Sequence, residues 1–307
     1  MSQPLVYVIV LNYNSLRWIE ACVGALLKTR YKNFRIVVVD NASGDGSVEL
    51  VRSRYPQAQV VVNERNMGFS EGNNVGIREA LANNADYVVL LNPDTKVEPE
   101  WLQELTAIGE AETEVGILGA VQLEYDSAEF NSWTKSAMRQ FIDELKQPDF
   151  ARARIPVEWV EGACFAVKRR VFEDIGLLDP IYFAFYEEID FCRRAATYGY
   201  EIALVSRSRI HHYRGGSWEA DLSIKRERDY RCDRSQFIYA STDPRNSILH
   251  NLWWYFITLG AKFKGAVSSF SLIRLFDLIR IQIDLIVISG SIVGKWRRDR
   301  ARLASAK

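Results

Sequence analysis

Short runs of aliphatic and β-branched residues recur through the first part of the chain, and each is too brief to be the core of a helix. Leu5–Leu11, Arg35–Val39, Val60–Val62 and Tyr87–Leu91 read as strands. The segments between them carry helical spacing. Trp18, Cys22, Ala25 and Leu26 recur behind a capping Ser15, and Ser47–Tyr55 and Glu71–Leu81 follow the same pattern. Because the strand runs are continuously apolar, both faces of the sheet must be covered. That predicts a mostly parallel sheet with helices on both sides. Sheets of this kind bind ligands beyond the carboxyl ends of their strands. Asn12, Asp40 and Asp94 stand at three such ends.

With 307 residues the chain can bury one large α/β domain, or one domain with an appendage. Lys+Arg and Asp+Glu balance at 39 each, so global charge gives no reason to expect nucleic acid as a partner. The four cysteines (Cys22, Cys164, Cys192, Cys232) form no CxxC pair, which leaves zinc spacing and a disulfide framework unsupported. Leu5–Leu11 lacks a basic leader and runs into polar Asn12-Tyr13-Asn14, so the expected location is cytoplasmic.

The apolar rhythm fades over residues 122–157, read as a substrate loop or small helical insertion, and returns at Trp159–Val167. A helix is expected over Asp190–Tyr198 and a strand near Ile202–Val205. From residue 246 the composition shifts: Ile248–Ala261 is aromatic-rich, and Leu272–Val293 is aliphatic with Arg274, Asp277, Arg280 and Asp284 on one stripe. Residues 1–245 therefore read as the main α/β domain, and 246–307 as an amphipathic helical extension. That extension suits an interfacial helix at the inner face of a membrane, a homo-oligomer contact, or a pair folded back on the core. The tail Lys295–Arg302 is basic and suits a polyanion such as anionic lipid.

Two stretches concentrate acids where an apolar wall meets solvent. Leu90-Leu91-Asn92-Pro93-Asp94 ends in one carboxylate, and Tyr182–Asp190 is an aromatic run closing on Glu187, Glu188 and Asp190. Such carboxylates suit metal binding and general-base work. Read alone, the first is a turn after a strand and the second an acidic helix start.

Taken in order, these motifs resemble glycosyltransferase family 2, of the GT-A fold, in the style of its rhamnosyltransferase-like, non-processive members. The likeness runs from Val6 to about Ser217. It implies a Rossmann-like mixed sheet flanked by helices, and a nucleotide-sugar donor carrying UDP or dTDP. By the same resemblance Asn12 and Asn14 close the first strand beside the nucleotide, and Asp40 accepts from the N3–H of a uracil or thymine ring. Asn66, Gly68 and Asn73 line the donor segment, with Gly68 and Gly72 permitting close approach. Asn92-Pro93-Asp94 stands in the place of the family's metal motif, where Asp94, with His212, holds Mg²⁺ or Mn²⁺. His212 rather than His211 follows from counting back from Ser217. Glu187-Glu188-Ile189-Asp190 resembles the element that supplies the catalytic base. Glu188 stands where the family usually has Asp, with Glu187 as runner-up and Asp190 as a supporting or structural acid. Trp159, Glu161, Gly162 and Asp190 resemble the acceptor side, and Arg214 the diphosphate side.

The implied reaction is an inverting, metal-dependent transfer to a saccharide or lipid-linked saccharide acceptor, with dTDP-rhamnose among the candidate donors. The alternative is a catalytically inactive nucleotide-sugar-binding or scaffold protein. A processive synthase would add a QxxRW motif that this sequence lacks. A nucleotidyltransferase would want a glycine-rich basic loop after Leu11, where the chain has Asn12-Tyr13-Asn14-Ser15.

Overall fold

The computed structural model describes residues 3–141, 153–215 and 222–305. The expected strands form β1 (Val6–Asn12), β2 (Phe34–Asp40), β3 (Ala58–Val62) and β4 (Tyr87–Leu91), all mutually parallel. Side chains alternate across β1: Tyr7 and Ile9 enter one apolar core, Val6, Val8 and Val10 the other. This two-sided burial is why the run is uniformly apolar. Helices α1 (Leu16–Leu26), α2 (Ser47–Arg54) and α3 (Gly68–Ala82) cross between these strands. Ser15 does not cap α1 with its side chain; its hydroxyl instead donates to Asn12 Oδ1.

The sheet continues with β5 (Thr95–Val97), α4 (Trp101–Ala111), β6 (Val115–Glu124), α5 (Ser132–Ala137), β7 (Arg154–Pro156), β8 (Cys164–Lys168) and α6 (Arg169–Ile175). Helix α7 (Glu187–Tyr198) and strand β9 (Glu201–His212) follow. The order is β3-β2-β1-β4-β8-β6-β9-β5, with β7 on β9. β8 runs antiparallel between β4 and β6, so the sheet is mixed. Of the expected 122–157 insertion, the described part supplies the end of β6, α5 and β7, with Trp133 buried and Phe141 against the core. Residues 142–152 lie outside the described residues. β9 is far longer than the expected Ile202–Val205. Its pairing with β6 slips between Ala120 and Val121, from Val205 to Arg209. This bulge sets where the histidines at the end of β9 land.

Four helices close the chain: α8 (Leu222–Ser241), α9 (Ile248–Ser268), α10 (Leu272–Val287) and α11 (Ser289–Ser305). The helices that pack together begin at α8, before the boundary read at residue 245. Tyr230, Phe237 and Ile238 of α8 share a core with Leu278, Ile281 and Leu285 of α10, and with Tyr182. The aliphatic stretch Leu272–Val293 is broken at Ile288 rather than continuous. The basic tail corrects an expectation. Lys295 is fully buried on Asp190 (3.0 Å) and Asp299 (2.5 Å), Arg298 meets Asp179 (3.2 Å), and Arg302 donates to the Ile175 carbonyl (2.7 Å). Lys295 is thus spent inside the protein, while Arg297, Arg298 and Arg300 of the same tail stay exposed.

Candidate active site

Paired ends of β1 and β2 build one wall. Asn12 stands opposite Asp40 in register, and its amide donates to Asp40 Oδ1 (2.6 Å) and Ser47 Oγ (2.7 Å). The other Asp40 oxygen accepts from the Ser43 backbone N–H (2.9 Å). Both side chains are buried, so Asn12 braces the wall, and a ring N–H reaching Asp40 must share an oxygen with one of these donors. Asn14 is exposed at a left-handed backbone position and accepts from the Gly44 N–H (2.9 Å).

The donor segment packs onto the aromatic loop. Gly68 has φ +77°, and a Cβ there would lie 2.4 Å from the Phe183 carbonyl oxygen, so only glycine fits. The next residue, Phe69, donates its N–H to that carbonyl (2.6 Å). Asn66 Oδ1 accepts from the Gly68 N–H (2.9 Å), and Asn73 is buried with its amide on the Phe69 carbonyl (2.9 Å). These asparagines shape the segment's backbone.

Beyond β4, the Asn92 N–H donates to the Ala163 carbonyl (3.1 Å), which sets Asn92-Pro93-Asp94 beside Glu161 and Gly162. Thr95 of β5 is opposite His212 of β9, and the Tyr213 N–H donates to the Asp94 carbonyl (3.1 Å). The result is an Asp94 Oδ1–His212 Nε2 approach of 3.3 Å between two buried side chains. His211 points the other way along the strand, toward the Glu124 carbonyl (3.1 Å). His212 Nδ1 meets Gln122 Oε1 at 3.0 Å; an amide oxygen only accepts, so Nδ1 carries a proton and Nε2 is the nitrogen that faces Asp94. Asn131 donates to the same Gln122 oxygen (3.0 Å). Gln122 was missed in the sequence, although a polar residue inside the apolar run Val115–Glu124 was a usable signal.

This donor set fits Mg²⁺ or Mn²⁺ in one specific way. A carboxylate and an imidazole are suitable ligands, but no group of three or more His, Cys, Asp or Glu suited to a metal occurs among the described residues. A cation here would take its remaining ligands from diphosphate and water.

Glu187 and Glu188 open α7, behind Phe185 and Tyr186, which both hold φ +68°. A helix N-terminus favours negative charge, yet burial wins here. Burial pushes the Glu188 carboxyl up to about 7; the charge of Glu161 adds to the rise, and a hydrogen bond from Glu187 works against it. Burial, then the charge of Glu188, raises Glu187 well above the carboxylate range, so Glu187 is the partner that keeps its proton. One buried oxygen on each of Glu161, Glu187 and Glu188 lacks a hydrogen-bond partner among the described residues. Leaving such an atom unpaired costs about 1–3 kcal/mol, a burden typical of functional sites.

Arg214 closes this side by donating to Glu161 Oε1 (3.1 Å) and to Ser132. Gly216 and Ser217 lie outside the described residues. Trp159 is half-buried with its ring centroid 5.8 Å from that of Trp133, and Gly162 lies against Phe69. Asp190 corrects its expected acceptor contact. It is fully buried, paired with Arg193 (2.9 Å), Arg194 (2.9 Å) and Lys295 (3.0 Å), and has no face toward an acceptor.

Residues 7–176 match the model of Glycosyl transferase family 2. The chain belongs to that family. A low-salt glycan biosynthesis hexosyltransferase of Haloferax volcanii is 32% identical over 193 residues, 61% of this chain and 60% of its own length. This chain thus spans well under two thirds of that relative. An N-acetylglucosaminyl-diphospho-decaprenol L-rhamnosyltransferase of Mycobacterium tuberculosis is 23% identical over 238 residues, covering 70% of this chain and 78% of its own. Among solved structures, a Pyrobaculum calidifontis mannosyltransferase in complex with GDP-Man and Mn²⁺ has a TM-score of 0.59 at 19% identity, covering 100% of this chain and 86% of its own. The S. aureus TarS fragment 1-349 with UDP-GlcNAc has a TM-score of 0.60 at 16% identity, covering 98% and 89%. These two likenesses concern the fold, which is the GT-A arrangement expected from the motifs.

Proposed function

We propose that this family 2 member is an inverting, metal-dependent glycosyltransferase that moves one sugar from a UDP- or dTDP-sugar to a saccharide or lipid-linked saccharide. Its work would be cytoplasmic, with the protein peripheral at the inner face of a membrane. Residues 1–245 would carry the chemistry. The observation behind this reading is the acid pair at the start of α7: a Glu188 poised near neutrality beside a Glu187 that holds its proton. A general base with a pKa near the working pH combines a useful deprotonated fraction with real proton affinity.

In the reaction, Glu188 takes the proton of an acceptor hydroxyl while that oxygen attacks the anomeric carbon. The bond from that carbon to the diphosphate breaks on the opposite side, and its electron pair leaves with the nucleoside diphosphate. The unpaired oxygens of Glu161 and Glu187 accept from other acceptor hydroxyls and orient the attacking one. Asp94 and His212 would hold Mg²⁺ or Mn²⁺, which supplies charge neutralisation at the diphosphate. Gln122 fixes the His212 tautomer that this requires, and Asp40 would share an oxygen with the ring N–H of a pyrimidine base. The rhamnosyl relative favours a deoxysugar donor within this class.

Calorimetric titration with UDP, dTDP and GDP, with and without Mn²⁺, tests the reading on wild type and Asp94→Ala. Metal-dependent binding of a pyrimidine diphosphate that disappears in the variant is expected. Equal binding by Asp94→Ala would remove Asp94 from the site, and tighter GDP binding would overturn the role given to Asp40.

A further inference from the structure

Helices α9 and α10 are built inside out. The residues of α9 that turn inward include Asn251, whose amide donates to the Asp243 carbonyl (3.0 Å), Tyr255, bonded to Gln282, and Lys262, paired with Asp233 (2.5 Å). On α10, Asp277 receives two bonds from Arg226 (2.6 and 2.9 Å), Asp284 receives the Tyr230 hydroxyl, and Arg280 lies over the Tyr230 ring at 4.0 Å. The charged stripe read from the sequence is thereby largely turned toward α8. What remains outside is apolar. Leu272, Phe276, Ile279, Ile283 and Ile286 repeat every three or four residues along the exposed side of α10. Leu249, Trp253 and Phe256 do the same on α9, with Phe263 two turns further on. At the turn joining the helices Phe270 is 95% exposed and Leu272 81%.

Apolar area this continuous is far beyond the scattered exposed residues of an ordinary soluble surface. Two further observations select its occupant. Lys264 and Arg274 are exposed between Ile248 and Phe276, where the sequence has no acidic residue, and Asp277 and Asp284 further along α10 are turned onto Arg226 and Tyr230, so the outward charge over that stretch is positive. The exposed indoles of Trp253 and Trp254 sit at one end, 5.0 Å apart, the residue type that settles at headgroup level. A second copy of the chain would set Lys264 and Arg274 against a face that holds no acid between Ile248 and Phe276. An anionic lipid surface supplies both apolar depth and negative charge. Among the described residues no helix is long and apolar enough to cross a membrane, so a pair bound to a bilayer would lie on it.

We infer that the outer face of α9 and α10 is a monotopic docking surface for an anionic bilayer, with Phe270 and Leu272 entering deepest. The inference deepens the membrane-side reading proposed above, and rests on that reading for its purpose only. The test is sedimentation of the full chain with vesicles of phosphatidylglycerol or of phosphatidylcholine, alongside Trp emission. Binding to phosphatidylglycerol vesicles is expected, with a blue shift and at least tenfold weaker binding to phosphatidylcholine. The double variant F256E/F276E should lose binding at least tenfold with unchanged circular dichroism. Lys264→Glu combined with Arg274→Glu, at exposed positions where folding is not at issue, should selectively weaken binding to phosphatidylglycerol. Absence of vesicle binding by the wild type, or unaltered binding by both variants, overturns the inference. So does a wild-type dimer that F256E/F276E converts to a monomer without any vesicle binding. Nucleotide titration on the same samples reads the donor site independently, so loss of one leaves the other intact.

Discussion

Glu188 and Asp190 lie two residues apart in the first turn of one helix, and their environments are opposite. Glu188 faces Glu161 and Glu187, has an oxygen without a partner among the described residues, and is raised toward neutrality. Asp190 faces the protein. Burial alone would raise it too, but Lys295, Arg194 and Arg193 hold it well below the usual carboxylate range. Two acids on one helical turn thus become a proposed proton acceptor and a structural anchor. What separates them is the supply of cations. Arg193 and Arg194 come from the same helix, while Lys295 arrives from α11, 105 residues further on.

The sharpest way to break this comparison is to neutralise each acid's function separately. Glu188→Gln keeps the size and removes the basicity, so transfer is expected to fall roughly 10²–10⁴-fold, the usual worth of a positioned base. Donor nucleotide binding should stay unchanged. A steady-state assay beside calorimetry checks both. A variant with normal turnover would pass the role to Glu187.

Lys295→Met acts on the other acid. It removes one of three cations from a fully buried carboxylate, and breaking such a network costs about 3–5 kcal/mol. Denaturant melts should show that loss, with residual transfer measured below the transition. A melt indistinguishable from wild type would mean that Arg193 and Arg194 alone neutralise Asp190.

The smallest effect is a divergence with pH. Transfer should rise with pH through about 7 as Glu188 becomes the free carboxylate. Stability should move the opposite way. Both acids of the pair are raised in the fold above the ordinary glutamate value of 4.5, so the stabilisation from their protonated forms is complete below that pH. It is then lost as pH rises through the folded value. Rate profiles and thermal melts between pH 5 and pH 8.5 check this crossing trend, and Glu188→Gln should flatten the Glu188 part of both.

How much of this was legible in the sequence differs between the two acids for the same reason. The strands β1, β2 and β4 were readable because two-sided burial imposes uniformly apolar runs, and their polar ends marked one wall of the site. The Asp94–His212 approach was readable only through the motif order, since β9 reaches β5 beyond a slip in its pairing with β6 that no local pattern records. Asp190 fits the structural part of its reading and not the acceptor contact, and its distant partner went unseen because that lysine looked like part of a solvent-facing basic tail. The charged stripe on α10 was visible, but not that it faces Arg226 and Tyr230. Periodicity says which residues share a side of a helix and nothing about what lies opposite.

Lys295 has a consequence for how the chain is made. During synthesis α7 emerges with Asp190 held only by its two neighbouring arginines, and the third cation follows 105 residues later. The sheet can form before that, whereas the helix that carries Glu188 reaches its final electrostatic balance only when α11 docks. Completion of the chain is therefore itself a folding step for the proposed catalytic helix, and a product ending before residue 295 would keep the transferase sheet while leaving that helix incompletely neutralised.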